Sequence, residues 1–365
     1  MKNKIEPRRA IAGFRKRPAM LEGRGSKLRL DMNESSVGCS PRVRAALRGL
    51  RSEDLAIYPE RGTAAARFAP FFGVHPSEMV ITAGIDEALR LIADVFLERG
   101  RSVLLLEPTF PMYRFFAEQR EARIHALRCG EDMQFPLDDV LRALRQNPTV
   151  FFLPNPNNPT GALLSKQALS WILDGAKRTL VVVDEAYFEF SGVTVLPWIR
   201  QRRNLAVTRT FSKAAGLAGL RVGCLFAHRE LAAIFRSGQD PFPVGVAQLA
   251  AAEAALRDAK FTRRAAAEII RGRKILETGL TRLGVRFFPS AANFVLADFG
   301  KRGTEIIAAL ATKGILIRDQ SAAIGRSGFV RITAGSPAQM RFFLRVLRQS
   351  CSDRVKVQVG DAIEA

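Results

Sequence analysis

Between about Thr82 and Val222 the chain alternates short apolar runs with segments of helical period. The runs are Val103–Leu106, Val150–Leu153, Leu180–Val183, Leu205–Thr208 and Val222–Ala227. They lack polar alternation, which is the pattern of strands covered on both faces in a mostly parallel sheet. Among them Ala88, Leu91, Ile92, Val95 and Phe96 recur at i, i+3, i+4, i+7 and i+8, the stripe of one helix face. A second helix is predicted over Lys166–Ala176. Strands alternating with helices define an α/β architecture, and its ligands are expected at the carboxyl ends of the strands.

The pattern then changes. A long helical region covers roughly Ala247–Leu283, followed by a strand near Asn293–Ala297 and a helix near Thr304–Thr312. Strands near Ile315–Ile317 and Phe329–Thr333 and a last helix near Ala338–Arg348 complete a smaller α+β segment. The expected organisation is an N-terminal arm (1–45) joining the small domain, a large α/β domain (46–255), the small C-terminal α+β domain (256–350) and a tail (351–365) without clear pattern. At 365 residues, two subdomains suit the length better than one core.

Composition adds limits. The longest apolar runs, such as Leu180-Val181-Val182-Val183, are far too short to span a bilayer. The basic N-terminus is not followed by an apolar secretory segment. Cys39, Cys129, Cys224 and Cys351 are scattered without metal-site spacing and read as reduced thiols, so the cytoplasm is the expected compartment and no metal is expected. A formal net charge of +21 favours anionic ligands. It would also favour nucleic acid, but the basic residues are spread along the whole chain and no aromatics interleave with them as a stacking platform. A solvated basic surface is the simpler account.

The candidate chemistry sits where strands end. Asp184 follows Val181-Val182-Val183, placing a carboxylate at a buried strand's end, where a cationic partner is expected. A protonated heterocyclic nitrogen is one such partner; a helix cap or an arginine pair is the ordinary alternative. Lys213, in Thr210-Phe211-Ser212-Lys213, lies just past the Leu205–Thr208 run among hydroxylic residues and glycines. Partial burial or nearby cations would lower its pKa and make the amine nucleophilic; a solvated surface lysine is the competing reading. Arg221 can take a phosphate bidentately, with Thr210 and Ser212 as hydroxyl donors. Thr82-Ala83-Gly84-Ile85-Asp86-Glu87 ends a strand and opens the amphipathic helix, so its free N–H groups are a candidate phosphate cradle, a geometry that every βα junction offers. Asn158-Pro159-Thr160-Gly161 has turn composition but also follows a buried strand.

Taken jointly, and in this order, these segments resemble the fold-type I pyridoxal-phosphate enzymes and, within them, the class I/II aminotransferases. The resemblance runs from about Leu30 to Gly335 and is greatest toward the histidinol-phosphate aminotransferases. Leu30-Asp31-Met32-Asn33-Glu34, Tyr58-Pro59-Glu60, Gly84-Ile85-Asp86-Glu87, Pro108-Thr109-Phe110, Arg318-Asp319-Gln320 and Arg331-Ile332-Thr333-Ala334-Gly335 carry it. It implies a mostly parallel seven-stranded-type sheet in the large domain, and pyridoxal 5'-phosphate as cofactor. Lys213 would hold the cofactor aldehyde and carry the Cα proton, while Asp184 would pair with the ring nitrogen. Tyr187 and Asn158 would bond the ring oxygen, and Phe110 would stack on the ring. Gly84, Ile85, Asp86, Thr210, Ser212, Arg221 and Tyr58 of the other subunit of a homodimer would hold the phosphate. Arg331 would grip the substrate's carboxylate, with Asn33 beside the substrate.

The resemblance further implies transfer of an amino group from histidinol phosphate or an aromatic amino acid to a 2-oxo acid such as 2-oxoglutarate, as in histidine biosynthesis. Phe110, Met20 and Phe242 stand where those enzymes often have tyrosine, and the lost hydroxyls put histidinol phosphate in question more than the cofactor. A decarboxylase of threonine phosphate is the alternative within the fold. A non-catalytic nucleic-acid-binding protein is less favoured, since it has no need of Lys213, Asp184 and Arg221 together. A Ser–His–Asp hydrolase is disfavoured because His75, His125 and His228 are the only histidines and none accompanies a nucleophile elbow.

Overall fold

The computed structural model describes residues 6, 8–12 and 22–360. Among the described residues, twelve strands form two sheets. The larger contains β2 (Met79–Thr82), β3 (Ser102–Glu107), β4 (Arg123–Arg128), β5 (Val150–Pro154), β6 (Leu180–Asp184), β7 (Leu205–Thr210) and β8 (Gly223–Ala227). The smaller contains β1 (Leu28–Leu30), β9 (Arg286–Phe288), β10 (Phe294–Asp298), β11 (Ile315–Asp319) and β12 (Phe329–Thr333).

In the large sheet the order is β2-β8-β7-β6-β5-β3-β4. Strands β4, β3, β5, β6 and β7 run parallel, while β8 pairs antiparallel with β7 and β2. Every residue of β5, β6 and β8 is buried, as the unbroken apolar runs predict. Successive residues serve opposite faces. Phe151, Leu153, Val181 and Val183 join one core with Leu169 and Ile172 of the Lys166–Gly175 helix. Phe152 and Val182 join the other with Leu91 and Ile92 of the Gly84–Phe96 helix. Helices cover both faces, so the polar ends of the strands are the places left for chemistry.

The predicted strands and helices are present, with some differences. Strand β4 was not expected from the sequence, because at the sheet edge its Arg-Ile-His-Ala-Leu-Arg segment is largely exposed and polar. Charged residues suit an edge that must not recruit further strands. The helical region expected as one piece is two helices, Val246–Arg257 and Ala259–Arg282. Asp258 separates them, its side chain accepting the Phe261 N–H as the cap of the second. The last helix spans Pro337–Gly360, so ten residues of the expected tail (351–360) belong to it. Small-sheet strand β1, from the segment expected as an arm, pairs parallel with β11, Leu28 opposite Ile315.

Candidate active site

A cavity of about 500 Å³ opens at the carboxyl ends of β5, β6 and β7, bounded on its far side by β11, β12 and the segment after β1. Asp184 is the last residue of β6 and Thr210 the last of β7, so sheet geometry delivers both to the same rim. Lys213 follows one turn later. Of the residues singled out from the sequence, Asn33, Ile85, Asp86, Phe110, Asn158, Asp184, Tyr187, Thr210, Ser212, Lys213, Arg221 and Arg331 all line this cavity. Gly84 stands directly behind, its backbone against the Arg221 guanidinium. Tyr58 does not belong to it; 73% exposed, it stacks on Phe242 with ring centroids 4.1 Å apart. Phe242 therefore also stands outside the cavity of its own chain, and Met20 lies outside the described residues.

Asp184 is 5% exposed. Its Oδ1 accepts the Thr208 hydroxyl at 3.0 Å and the Ala186 N–H at 3.1 Å; its Oδ2 accepts the Tyr113 hydroxyl at 2.6 Å. Among the described residues no lysine or arginine pairs with it. Burial consequently pushes its carboxyl pKa up, and the three donors oppose that shift.

Arg331 is the complementary case. It is 8% exposed, donates from Nη1 to Asn158 Oδ1 at 2.5 Å and from Nη2 to the Asp31 carbonyl at 2.7 Å, and its Nε has no partner among the described residues. Both partners are neutral. Burial, with Arg318 adding repulsion, lowers the guanidinium to about 10. One cavity thus holds a buried anion without a cation and a buried cation without an anion, each costly until a ligand of opposite sign arrives.

Lys213 donates from Nζ to the Met32 carbonyl at 3.1 Å. Burial first and then the Arg331 charge lower its pKa to about 8, with Arg221 contributing less. The amine is poised for nucleophilic use near neutral pH. Met32 lies in a segment that holds three site residues at once. Asp31 supplies the carbonyl for Arg331, Met32 that for Lys213, and Asn33 donates its amide to the Tyr187 hydroxyl at 2.9 Å. Arg24 anchors that segment through Asp31 and Glu34 at 2.7 and 2.8 Å. The Asn33 side-chain oxygen is itself bonded by Thr333, so its amide is committed to orienting Tyr187.

At the opposite end of the cavity the start of the Gly84–Phe96 helix meets Arg221. The Gly84–Phe96 helix starts without a side-chain cap, leaving its first N–H groups to the cavity. Arg221 reaches over that start, donating to Ser212 Oγ at 3.3 Å and to Asp86 Oδ2 at 3.2 Å. A Cβ on Gly84 would lie 2.6 Å from Arg221 Nη2, and its φ is +77°. Only glycine gives the guanidinium that approach. Sequence reasoning missed Tyr113, Thr208, Arg24 and, as a lining residue, Met32. Thr208 alone had an accessible signal, since it ends the same apolar run and lies in register with Asp184.

A lysine, a buried carboxylate and a helix start beside an arginine stand at the strand ends of this seven-stranded sheet, as the resemblance to fold-type I transferases leads one to expect. The aminotransferase class I and II profile matches residues 26–347. The chain is 34% identical over 334 residues to the histidinol-phosphate aminotransferase of Anoxybacillus flavithermus, covering 90% of this chain and 89% of that one. Among solved structures it is similar to histidinol-phosphate aminotransferase from Sinorhizobium meliloti in complex with pyridoxal-5'-phosphate, with TM-score 0.86, 27% identity, and coverage of 95% and 99%. It is also similar to L-threonine-O-3-phosphate decarboxylase from Porphyromonas gingivalis, with TM-score 0.76, 26% identity, and coverage of 88% and 98%. The chain belongs to the class I and II aminotransferases, a pyridoxal-phosphate-dependent enzyme family.

Proposed function

We propose that this aminotransferase takes histidinol phosphate as amino donor and a 2-oxo acid such as 2-oxoglutarate as acceptor, in histidine biosynthesis. The observation that carries this reading is the pair of uncompensated charges, Asp184 and Arg331, flanking Lys213 in one cavity. The residues fit pyridoxal phosphate. Asp184 is a buried carboxylate awaiting a ring cation, Lys213 an amine tuned toward neutrality, and the Gly84 and Arg221 cradle accepts a phosphate with Thr210 and Ser212 hydroxyls. Tyr187 and Asn158 would bond the ring oxygen and Phe110 would cover one ring face.

The bound cofactor supplies an electron sink that allows the substrate Cα–H bond to break as a proton. The chain's own residues do the rest. Asp184 would keep the ring nitrogen charged, and Lys213 Nζ would take the proton from the donor's Cα and, in the second half-reaction, deliver one to the acceptor's Cα. Asn33 fixes the Tyr187 hydroxyl. Arg331 takes the anion next to the reacting carbon, which is a phosphate ester in histidinol phosphate and a carboxylate in glutamate or 2-oxoglutarate. One guanidinium can therefore serve donor and acceptor in turn.

The working unit in this reading is a homodimer, with Tyr58 reaching the partner's phosphate cradle. Its exposure, and that of neighbouring Leu55 (61%) and Ile57 (68%), supports this. The division into an arm (1–45), a large domain (46–255) and a small domain (256–350) belongs to the same proposal, as does a cytoplasmic location. Among the described residues no helix is long and apolar enough to cross a membrane. The likeness to the decarboxylase favours a second reading in which threonine phosphate loses carbon dioxide. Incubating holoenzyme with 2-oxoglutarate and each candidate donor separates the two. Glutamate formed fastest with histidinol phosphate supports the first; carbon dioxide released from threonine phosphate without glutamate overturns it.

A further inference from the structure

We infer that Tyr113 is a positioning residue for the reaction, its hydroxyl orienting Asp184 so that Oδ2 is the oxygen offered to the cofactor's ring nitrogen. The inference deepens the reading above and rests on it. It begins with lone pairs, of which each carboxylate oxygen has about two. Oδ1 uses both, on the Thr208 hydroxyl and the Ala186 N–H. Oδ2 receives only Tyr113, at 2.6 Å, and keeps one acceptor site.

Tyr113 is built to hold that bond. It is 1% exposed, stacks on Phe152 with centroids 5.2 Å apart at 9°, and meets Phe110 edge-on at 5.7 Å and 81°. One rigid ring therefore touches both the carboxylate proposed to bind the ring nitrogen and the aromatic proposed to cover the ring. Burial raises the phenol pKa well above its ordinary value, so the hydroxyl remains a donor at working pH. The charged groups facing Asp184 include Asp86, at the start of the Gly84–Phe96 helix, which opposes its ionised form. Tyr187 follows on the chain after β6, and Lys213, Arg221, Arg318 and Arg331 line the rest of the cavity. None of these bonds Asp184, so its ionised form depends on Tyr113, Thr208 and the Ala186 amide. The simpler account makes Tyr113 a core tyrosine that happens to find an acceptor.

Tyr113→Phe keeps the ring and deletes the donor. Titrating apoprotein with pyridoxal phosphate should then show binding weaker by roughly ten- to a hundred-fold, the loss of one charge-assisted hydrogen bond. The acid side of the binding profile should move to higher pH, because a carboxylate that loses a donor is protonated more readily. In the holoenzyme kcat should fall while KM for 2-oxoglutarate stays, since Arg331 is untouched. Thr208→Val should have a smaller effect, as Oδ1 retains the Ala186 N–H, and Tyr113→Phe should add little in an Asp184→Asn background. Wild-type affinity and an unmoved acid limb in Tyr113→Phe overturn the inference. So does a variant that merely melts earlier and shows full additivity with Asp184→Asn. Failure of the wild-type apoprotein to bind pyridoxal phosphate would instead sink the cofactor reading itself.

Discussion

Lys213 shows how position alone shifts the titration of a side chain of ordinary type. Burial and the Arg331 charge lower its amine to about 8, so the neutral form grows from a minority at pH 7 to the majority above pH 8. Uptake of pyridoxal phosphate by apoprotein should accelerate over that interval. Arg331→Met should move the midpoint upward, since removing a neighbouring cation favours the protonated amine. A midpoint that stays put in the variant would contradict this electrostatic account. Asp184→Asn should lower kcat by roughly 10²-fold or more, because the charge opposite the ring nitrogen is lost; near-normal turnover would refute the assigned role. The strand-end positions of Lys213 and Asp184 were legible in the sequence because each follows an apolar run, though read alone each also fits a surface lysine or a capping carboxylate. Tyr113 was not: a single aromatic on a helix is indistinguishable from core until its hydroxyl is seen against Asp184. Arg331 was read only through resemblance, since its partner Asn158 comes from a distant part of the chain.

Elements place these residues by close approach. With the Arg221 guanidinium where it lies, a Cβ at Gly84 would come within 2.6 Å of Nη2, so a side chain there must push the guanidinium aside. Gly84→Ala should weaken pyridoxal phosphate binding by displacing the guanidinium, with a left-handed backbone penalty of about 1–2 kcal/mol besides. Unchanged affinity would show that the cradle does not need this approach. The Ala259–Arg282 helix makes a similar contact at Gly272, where a Cβ would lie 1.9 Å from the Gly335 carbonyl oxygen. Gly335 lies two residues past the end of β12, the strand that carries Arg331, so Gly272→Ala should destabilise the fold by about 1–3 kcal/mol, read in thermal unfolding. A melting temperature equal to wild type would contradict that packing. The parallel strands were legible because full burial leaves an unbroken apolar signature. Strand β4 was not, since an exposed edge carries polar residues, and the break at Asp258 was hidden because the helical pattern continues on both sides.

At the scale of the whole molecule, two sheets enclose the cavity, and the contacts across it are long-range ones such as Arg331 with Asn158. Sequence pattern reveals the buried central strands of each sheet but not the edge strands β1, β4 and β9, nor which distant segment supplies them. The exposed Tyr58–Phe242 pair points outward from the same molecule. If it completes a partner's site, mixing inactive Tyr58→Ala and Lys213→Ala proteins should restore activity, because each hybrid dimer contains one intact site. No recovery from mixtures that demonstrably exchange subunits would sink that arrangement. All of these expectations depend on one attachment point, and reduction of the holoprotein with borohydride followed by peptide mapping tests it directly. The account predicts that the cofactor is found on the peptide bearing Lys213 and that Lys213→Ala retains none covalently. Cofactor trapped on another lysine, or none on wild-type holoprotein, would contradict it.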